Sequence, residues 1–195
     1  MADQLQMIWP EARVAHRLEW QASDGYSLRT FRAGDEDAYL SLMRSAGFDT
    51  WNQDTLGAVL KNAIPGGIMF AEHMASSTIV ATAMGWYRPS ALFDTAYEMG
   101  WVAADPAHRG KGLGRVVVAA ITQALLEHGA RRIYLLTDDW RLPAIKGYLK
   151  VGYVPLYHKP EMRTRWQETF LKLDLKMEEY AGVDYDMLPP PHPAR

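Results

Sequence analysis

No cysteine occurs among the 195 residues of this chain, which excludes disulfides, thiolate metal sites and any covalent intermediate on a cysteine sulfur. Positive charge is not in excess either. Its 21 lysines and arginines stand against 23 aspartates and glutamates, for a formal charge of -2, whereas nucleic-acid-binding domains carry a basic face. The pair Arg131-Arg132 is too short to reverse that balance. No stretch approaches the roughly 18 uninterrupted apolar residues of a membrane span. The start, Met1-Ala2-Asp3-Gln4, lacks the basic-then-apolar order of a signal peptide. No internal repeat is visible. These absences give the expectation of a cytoplasmic protein that engages neither nucleic acid nor membrane. With 48% hydrophobic residues, the length suits one domain with a real core.

What is present is a glycine-dense turn. Residues 105–114 read Asp-Pro-Ala-His-Arg-Gly-Lys-Gly-Leu-Gly, and from Leu113 onward Val116, Val117, Ala120, Ile121, Ala124 and Leu125 recur at the spacing of one helical face. The turn therefore sits at a helix N-terminus, where unpaired N–H groups and roughly half a positive elementary charge suit a diphosphate. A purely structural strand-to-helix turn is the alternative, since Gly-x-Gly alone is a weak signal. The dinucleotide fingerprint fails, because Arg115 stands where its third glycine belongs, and the phosphate loop of nucleotide hydrolases fails, because Gly112 follows Lys111 in place of serine or threonine.

The segment Arg109-Gly110-Lys111-Gly112-Leu113-Gly114 fits the acetyl-CoA signature of Arg or Gln, two residues, Gly, one residue, then Gly or Ala. On it the chain resembles the GNAT superfamily of N-acetyltransferases, over residues 26–157 and most strongly over 101–153. The resemblance implies an α/β (α+β) fold: a mixed, mostly antiparallel sheet of six to seven strands flanked by helices, with a splayed parallel strand pair forming the CoA cleft. Pattern reading reaches nearly the same order. Tyr26–Phe31 is β-rich and is expected to form a hairpin with 16–20 across Ser23-Asp24-Gly25. Helices are expected over 35–45, capped by Asp35, and over 54–62, ended by Pro65-Gly66-Gly67. Strands at 68–73, 78–86 and 96–104 follow. Then come a helix over 112–128, a strand over 132–137, a helix over 143–151, a strand from Tyr153 and a helix over 162–173. The domain limits read as an N-terminal extension at 1–25 that adds a strand, the acetyltransferase domain at 26–160, a helical extension at 161–188 and a disordered proline-rich tail at 189–195.

Acetyl-CoA, or another acyl-CoA, is the implied co-substrate, with no metal. The backbone of Arg109, Gly110, Lys111, Gly112, Leu113 and Gly114 would hold the diphosphate, with Arg109, Lys111 and Arg115 adding charge. The backbone of Val102 and Ala104 would pair with the pantetheine amides. Arg141 stands where many relatives have an asparagine that touches the CoA arm; an arginine there reaches a phosphate instead. An amine with a pKa near 10.4 costs about 4 to 5 kcal/mol to deprotonate at pH 7, so a base helps. Glu98 lies where many relatives place that carboxylate, its alternative being a solvent-facing strand glutamate. Strand alternation groups Gly100, Val102 and Ala104 with Glu98, leaving Trp101 and Ala103 on the other face. Tyr148, within Ala144-Ile145-Lys146-Gly147-Tyr148-Leu149-Lys150-Val151-Gly152-Tyr153, matches the tyrosine that donates a proton to the leaving thiolate. Gly147 replaces a larger residue. His108 and His158 read as surface or packing histidines before bases, and Asp138 and Asp139 read as caps of the late helix.

Acyl transfer to a primary amine of a small molecule or peptide, direct and through a ternary complex, is the implied reaction. Its rival is a non-catalytic acyl-CoA sensor or scaffold. The acceptor pocket is implied at 47–53 and 153–158, and Trp51, Trp86, Tyr87, Tyr153 and Tyr157 are its apolar or cation-binding candidates, with core packing as the alternative. A homodimer is compatible with all of this.

Overall fold

A computed structural model describes residues 3–189, and the described chain divides into two compact units. One comprises residues 17–87 and 97–130, the other residues up to 16, 88–96 and 131 onward. In chain order the regular elements are β1 (Leu5–Ile8), β2 (Tyr26–Thr30), α1 (Glu36–Ser45), α2 (Gln53–Asn62), β3 (Ala63–His73), β4 (Thr78–Tyr87), β5 (Tyr97–Ala104), α3 (Leu113–Glu127), β6 (Ile133–Thr137), α4 (Leu142–Val151), β7 (Val154–Tyr157), α5 (Pro160–Leu173) and β8 (Val183–Asp184). Six of the seven strands read from the sequence are present, joined by β1 and β8.

The first unit is an antiparallel run β2-β3-β4-β5. One face carries Ile68, Phe70, Met84 and Ala103, packed under Tyr39, Leu42 and Met43 of α1 and Leu56 and Val59 of α2. The other face is lined by small residues, Ala71, Ala81, Ala83 and Gly85, all buried. That smoothness lets α3 lie close. A Cβ on Gly85 would stand 2.8 Å from Leu125, and Val117, Ile121 and Leu125 of α3 are fully buried. The start of α3 is thereby fixed relative to the end of β5.

Local chemistry explains the helix limits. Asn52 caps α2 by accepting the N–H of Thr55 at 2.9 Å, and the helix passes at Asn62 directly into β3, so that Pro65, Gly66 and Gly67 form a bulged strand start in place of the expected terminator. Asp35 precedes α1, but its carboxylate accepts from Arg32 N–H at 2.7 Å and from both terminal nitrogens of Arg29 at 2.7 and 2.9 Å, instead of capping the helix. The expected strand at 16–20 does not form; among the described residues β2 pairs with β3.

The second unit orders β6-β1-β7-β8, antiparallel except for the parallel pair β7–β8. Ile8, Tyr134, Val154 and Leu156 form its core with Phe93 and Ala96 of the 88–96 segment. Trp166 and Phe170 of α5 are buried as well. Of the tail expected to be disordered, only Pro189 falls within the described residues; its carbonyl accepts from Arg132 Nη2 at 2.6 Å.

Candidate active site

The glycine-dense turn begins where β5 ends. Asp105 accepts the N–H of Ala107 at 2.8 Å and closes a short 3-10 turn at Pro106–His108. Gly110 and Gly112 then take φ of 79° and 72°, a region where a Cβ costs about 1–2 kcal/mol. Gly112 is the N-cap of α3, and its carbonyl accepts the first helical bond from Val116 N–H at 3.1 Å. Two long-range bonds pin the turn: Ser23 Oγ donates to the Lys111 carbonyl at 2.8 Å, and the Tyr26 hydroxyl is hydrogen-bonded to His108 Nδ1 at 2.8 Å. Leu113 is buried and anchors the helix start. A Cβ on Gly114 would meet nothing within 4 Å, so the space over the first helical turn is open. The leading N–H groups of a helix lack intrahelical partners and sit at its positive end. With the exposed side chains of Arg109, Lys111 and Arg115 beside them, they make a cradle with the shape and charge for a diphosphate.

On β5 the strand does not alternate as expected. Gly100 pairs with Met84 and Ala103 with Thr82, so Trp101 and Val102 together oppose the single residue Ala83. This is a bulge, and Trp101 occupies it at φ 48°, a conformation that glycine usually supplies. The extra residue reverses the parity of the strand: Ala103 joins Glu98 and Gly100 on the α1–α2 face, whereas Ala104 pairs with Ala81 on the α3 face. The expected grouping of Gly100, Val102 and Ala104 is thus corrected. The cue was present, since a glycine inside a strand often marks a bulge. A bulge also leaves backbone amides of the strand out of the ladder, here in the stretch from Trp101 to Val102.

Glu98 is not solvent-facing: it is 6% exposed, opposite Trp86 on β4. Its Oε1 lies 3.0 Å from the point where a Gly100 Cβ would stand, so the carboxylate is folded over the glycine next to the bulge. Around it the α1–α2 face turns aromatic. Tyr39 and Trp51 are 5.1 Å apart, Trp51 and Trp101 5.0 Å, and Phe48 and Trp101 5.7 Å, the last two edge-on. Tyr39 and Trp51 are buried; Phe48, Trp86 and Trp101 are half-buried. Of the other aromatic candidates, Tyr153 and Tyr157 are buried in the second unit, and Tyr87 is exposed.

In the second unit, Tyr148 lies on α4 and is almost fully buried. Burial pushes its phenol up to about 12, opposed by the nearby Arg141 cation, so it is protonated at every ordinary pH and serves only as a donor. Gly147 is crowded by nothing within 4 Å. Arg141 is the residue at the N-cap of α4, held by Asp138 at 3.0 Å and stacked on exposed Trp140 at 4.4 Å. Asp138 and Asp139 are therefore not helix caps: Asp138 binds Arg141 and the Gln4 amide, and Asp139 binds Arg165 of α5. His158 is half-buried, and desolvation lowers its pKa. Among the described residues, no group of three or more His, Cys, Asp or Glu side chains is arranged to hold a metal ion, and no helix is long and apolar enough to cross a membrane.

Known proteins similar to this chain bear on its fold and family. Mycothiol acetyltransferase of Nocardia farcinica is 28% identical over 146 residues, covering 69% of this chain and 47% of that protein. The protein of the same name from Thermobispora bispora is 30% identical over 142 residues, covering 67% and 47%. The chain thus spans about half the length of these relatives. Among solved structures, a GCN5-related N-acetyltransferase from Kribbella flavida matches with a TM-score of 0.55 at 22% identity, covering 80% of this chain and 55% of that one. A tandem GNAT protein from the clavulanic acid biosynthesis pathway matches at 0.58 and 17%, covering 80% and 51%. The description "Acetyltransferase (GNAT) family" fits residues 35–153, more than half of the chain. This chain therefore belongs to the GNAT acetyltransferase family.

Proposed function

We propose that the protein transfers an acetyl or other short acyl group from acyl-CoA directly to the primary amine of a small molecule. The observation that carries the proposal is the helix start with two left-handed glycines and open space over Gly114, which suits the coenzyme's diphosphate. Arg109 to Gly114 supply the backbone donors, and Arg109, Lys111 and Arg115 the cations. Backbone groups of Val102 and Ala104 pair with the pantetheine amides, a role to which a bulged strand with unladdered amides is suited. Arg141 contributes charge, although its bond to Asp138 limits its reach.

Glu98 takes the proton from the acceptor's ammonium. Its burial and its position over Gly100, next to the bulge, support this role, because a proton acceptor must be held in place and away from bulk water. Tyr148 donates a hydrogen bond to the sulfur as the C–S bond breaks. Because its pKa of about 12 lies far above that of a thiol, about 8.5, the phenol stabilises the developing thiolate by hydrogen bonding and does not surrender its proton outright. No cysteine is available, so the acyl group passes directly, without a cysteine thioester.

A small or cationic acceptor is favoured over an acidic one by the slight net negative charge. The reaction requires no metal, and a cytoplasmic setting is consistent with a cysteine-free chain. The test is an acceptor screen with acetyl-, propionyl- and longer acyl-CoA, read as free thiol release. Amine-dependent release supports the proposal. Acyl-CoA binding without release for any amine favours the sensor reading, and in that case Tyr148→Phe has no turnover to lose.

A further inference from the structure

We propose that this protein's acceptor is a primary amine carried on an aromatic or otherwise apolar body, and that Trp101 selects it. The premise is the role of Glu98 as proton acceptor proposed above. Four observations carry the inference.

First, Trp101 is a bulky residue at φ 48°, in the bulge position that glycine fills without strain. Strain of this kind persists where surrounding structure enforces it, and it concentrates at functional sites. Here the enforcing contacts are edge-on packing against Trp51 at 5.0 Å and Phe48 at 5.7 Å. The chain holds an indole where backbone geometry alone asks for none.

Second, Phe48, Trp86 and Trp101 are half-buried aromatic residues at the fringe of the buried cluster. An apolar fringe left partly open on a covered face provides ring surface for a ligand. Third, the Trp51 indole N–H is buried with no hydrogen-bond partner among the described residues. Such a donor is expensive inside a protein unless something else accepts from it. Fourth, Glu98, a buried carboxylate on this face, sits opposite Trp86 and over Gly100, three residues before the strained position.

Aromatic faces attract an ammonium, a carboxylate pairs with it, and the rings then cover the apolar group that the ammonium is attached to. An acceptor carrying its own carboxylate would be repelled by Glu98. A many-hydroxyl acceptor would lose hydrogen bonds to water against these rings. The chemistry that fits is an arylalkylamine-like ammonium. On loss of a proton to Glu98, the neutral nitrogen attacks the thioester carbonyl and forms the N–C bond; as the C–S bond breaks, the second proton of the now acidic nitrogen passes to the departing sulfur, so that a neutral amide and the free thiol of CoA leave.

The test compares kcat/KM for 2-phenylethylamine, glucosamine and glutamate at saturating acetyl-CoA, in the wild type and in Trp101→Ala and Trp101→Phe. The expected result is a preference of at least about tenfold for 2-phenylethylamine, an apolar-burial and cation–aromatic effect. It should collapse in Trp101→Ala chiefly through KM and persist in Trp101→Phe. Should Trp101→Ala fail to fold, Phe48→Ala, at the open edge of the same fringe, should reduce the preference in the same direction. Preference for glucosamine or glutamate, or a preference indifferent to Trp101 and Phe48, overturns this inference while leaving amine acetylation intact. Absence of thiol release with every amine overturns the proposed function and this inference together.

Discussion

At the scale of single residues, the positions that matter are those where ordinary side-chain rules are broken. Gly100 is needed for lack of a side chain and not for its dihedral angles, since a Cβ there would press on Glu98 Oε1 at 3.0 Å. The flexible carboxylate can move aside at little cost in stability, but it then leaves the position proposed for proton transfer. Gly100→Ala should therefore fold with a melting temperature close to wild type while losing roughly ten- to a hundredfold in kcat, the range expected for misplacing a catalytic group by about an ångström. Equal loss of stability and activity in paired thermal and kinetic assays would assign Gly100 a packing role instead. Tyr148→Phe should lower kcat by a similar factor while leaving acetyl-CoA affinity nearly unchanged, because the role proposed for the phenol is confined to the leaving sulfur. Trp101→Gly and Trp101→Ala both delete the indole, yet glycine also relieves the left-handed backbone, so the glycine variant should be about 1 kcal/mol more stable in chemical denaturation. The reverse ranking would mean that the positive φ at Trp101 carries no strain.

At the scale of elements, much of the fold was legible because periodicity and punctuation are local signals. The α3 stripe from Leu113 to Leu125, the Pro143 start of α4 and the glycine signature at 109–114 all lie within one element or one turn. What escaped were features set by partners far away in sequence. The hairpin expected at 16–20 lost to pairing of β2 with β3. Asp35 was drawn from capping α1 by Arg29, and Asp138 and Asp139 were drawn from α4 by Arg141 and Arg165. Ser23, which pins the Lys111 carbonyl across 88 positions, carried no local mark. The parity of β5 turned on one extra residue, which a glycine inside a strand hinted at and which only the register with β4 fixes. An element-level prediction follows from Gly112 at φ 72° and the N-cap of α3. Gly112→Ala should cost about 1–2 kcal/mol of stability and weaken acetyl-CoA binding more than Gly114→Ala, which meets open space and matches the alanine that the signature permits. Titration calorimetry on the two variants makes the comparison.

At the scale of the whole molecule, ion pairs set the acid limit of stability. Hydrogen bonds from Arg29 to Asp35 and from Arg165 to Asp139 hold both carboxyls below their ordinary range. A lowered carboxyl pKa gives stability that is present above about pH 4 and is lost as pH falls through the folded-state value. His158 works in the same sense from a different cause: desolvation lowers its pKa, so the folded state resists protonation and a penalty accumulates below about pH 6.5. Denaturation midpoints should therefore drop between pH 6.5 and 5 in the wild type and drop less in His158→Gln. A further drop below pH 4 should shrink in Arg29→Met. An identical pH profile in all three proteins would dissociate these groups from acid unfolding. A diphosphate held as proposed, by backbone donors and by Arg109, Lys111 and Arg115, should be released by added salt. Calorimetric titration of the protein with acetyl-CoA and, in parallel, with acetyl-pantetheine tests the diphosphate grip most directly. Saturable heat with acetyl-CoA and binding at least about a hundredfold weaker for the analogue without the diphosphate are predicted, as loss of several charge-assisted hydrogen bonds requires. Equal affinity for the two, or no heat from acetyl-CoA at millimolar concentration, would contradict it.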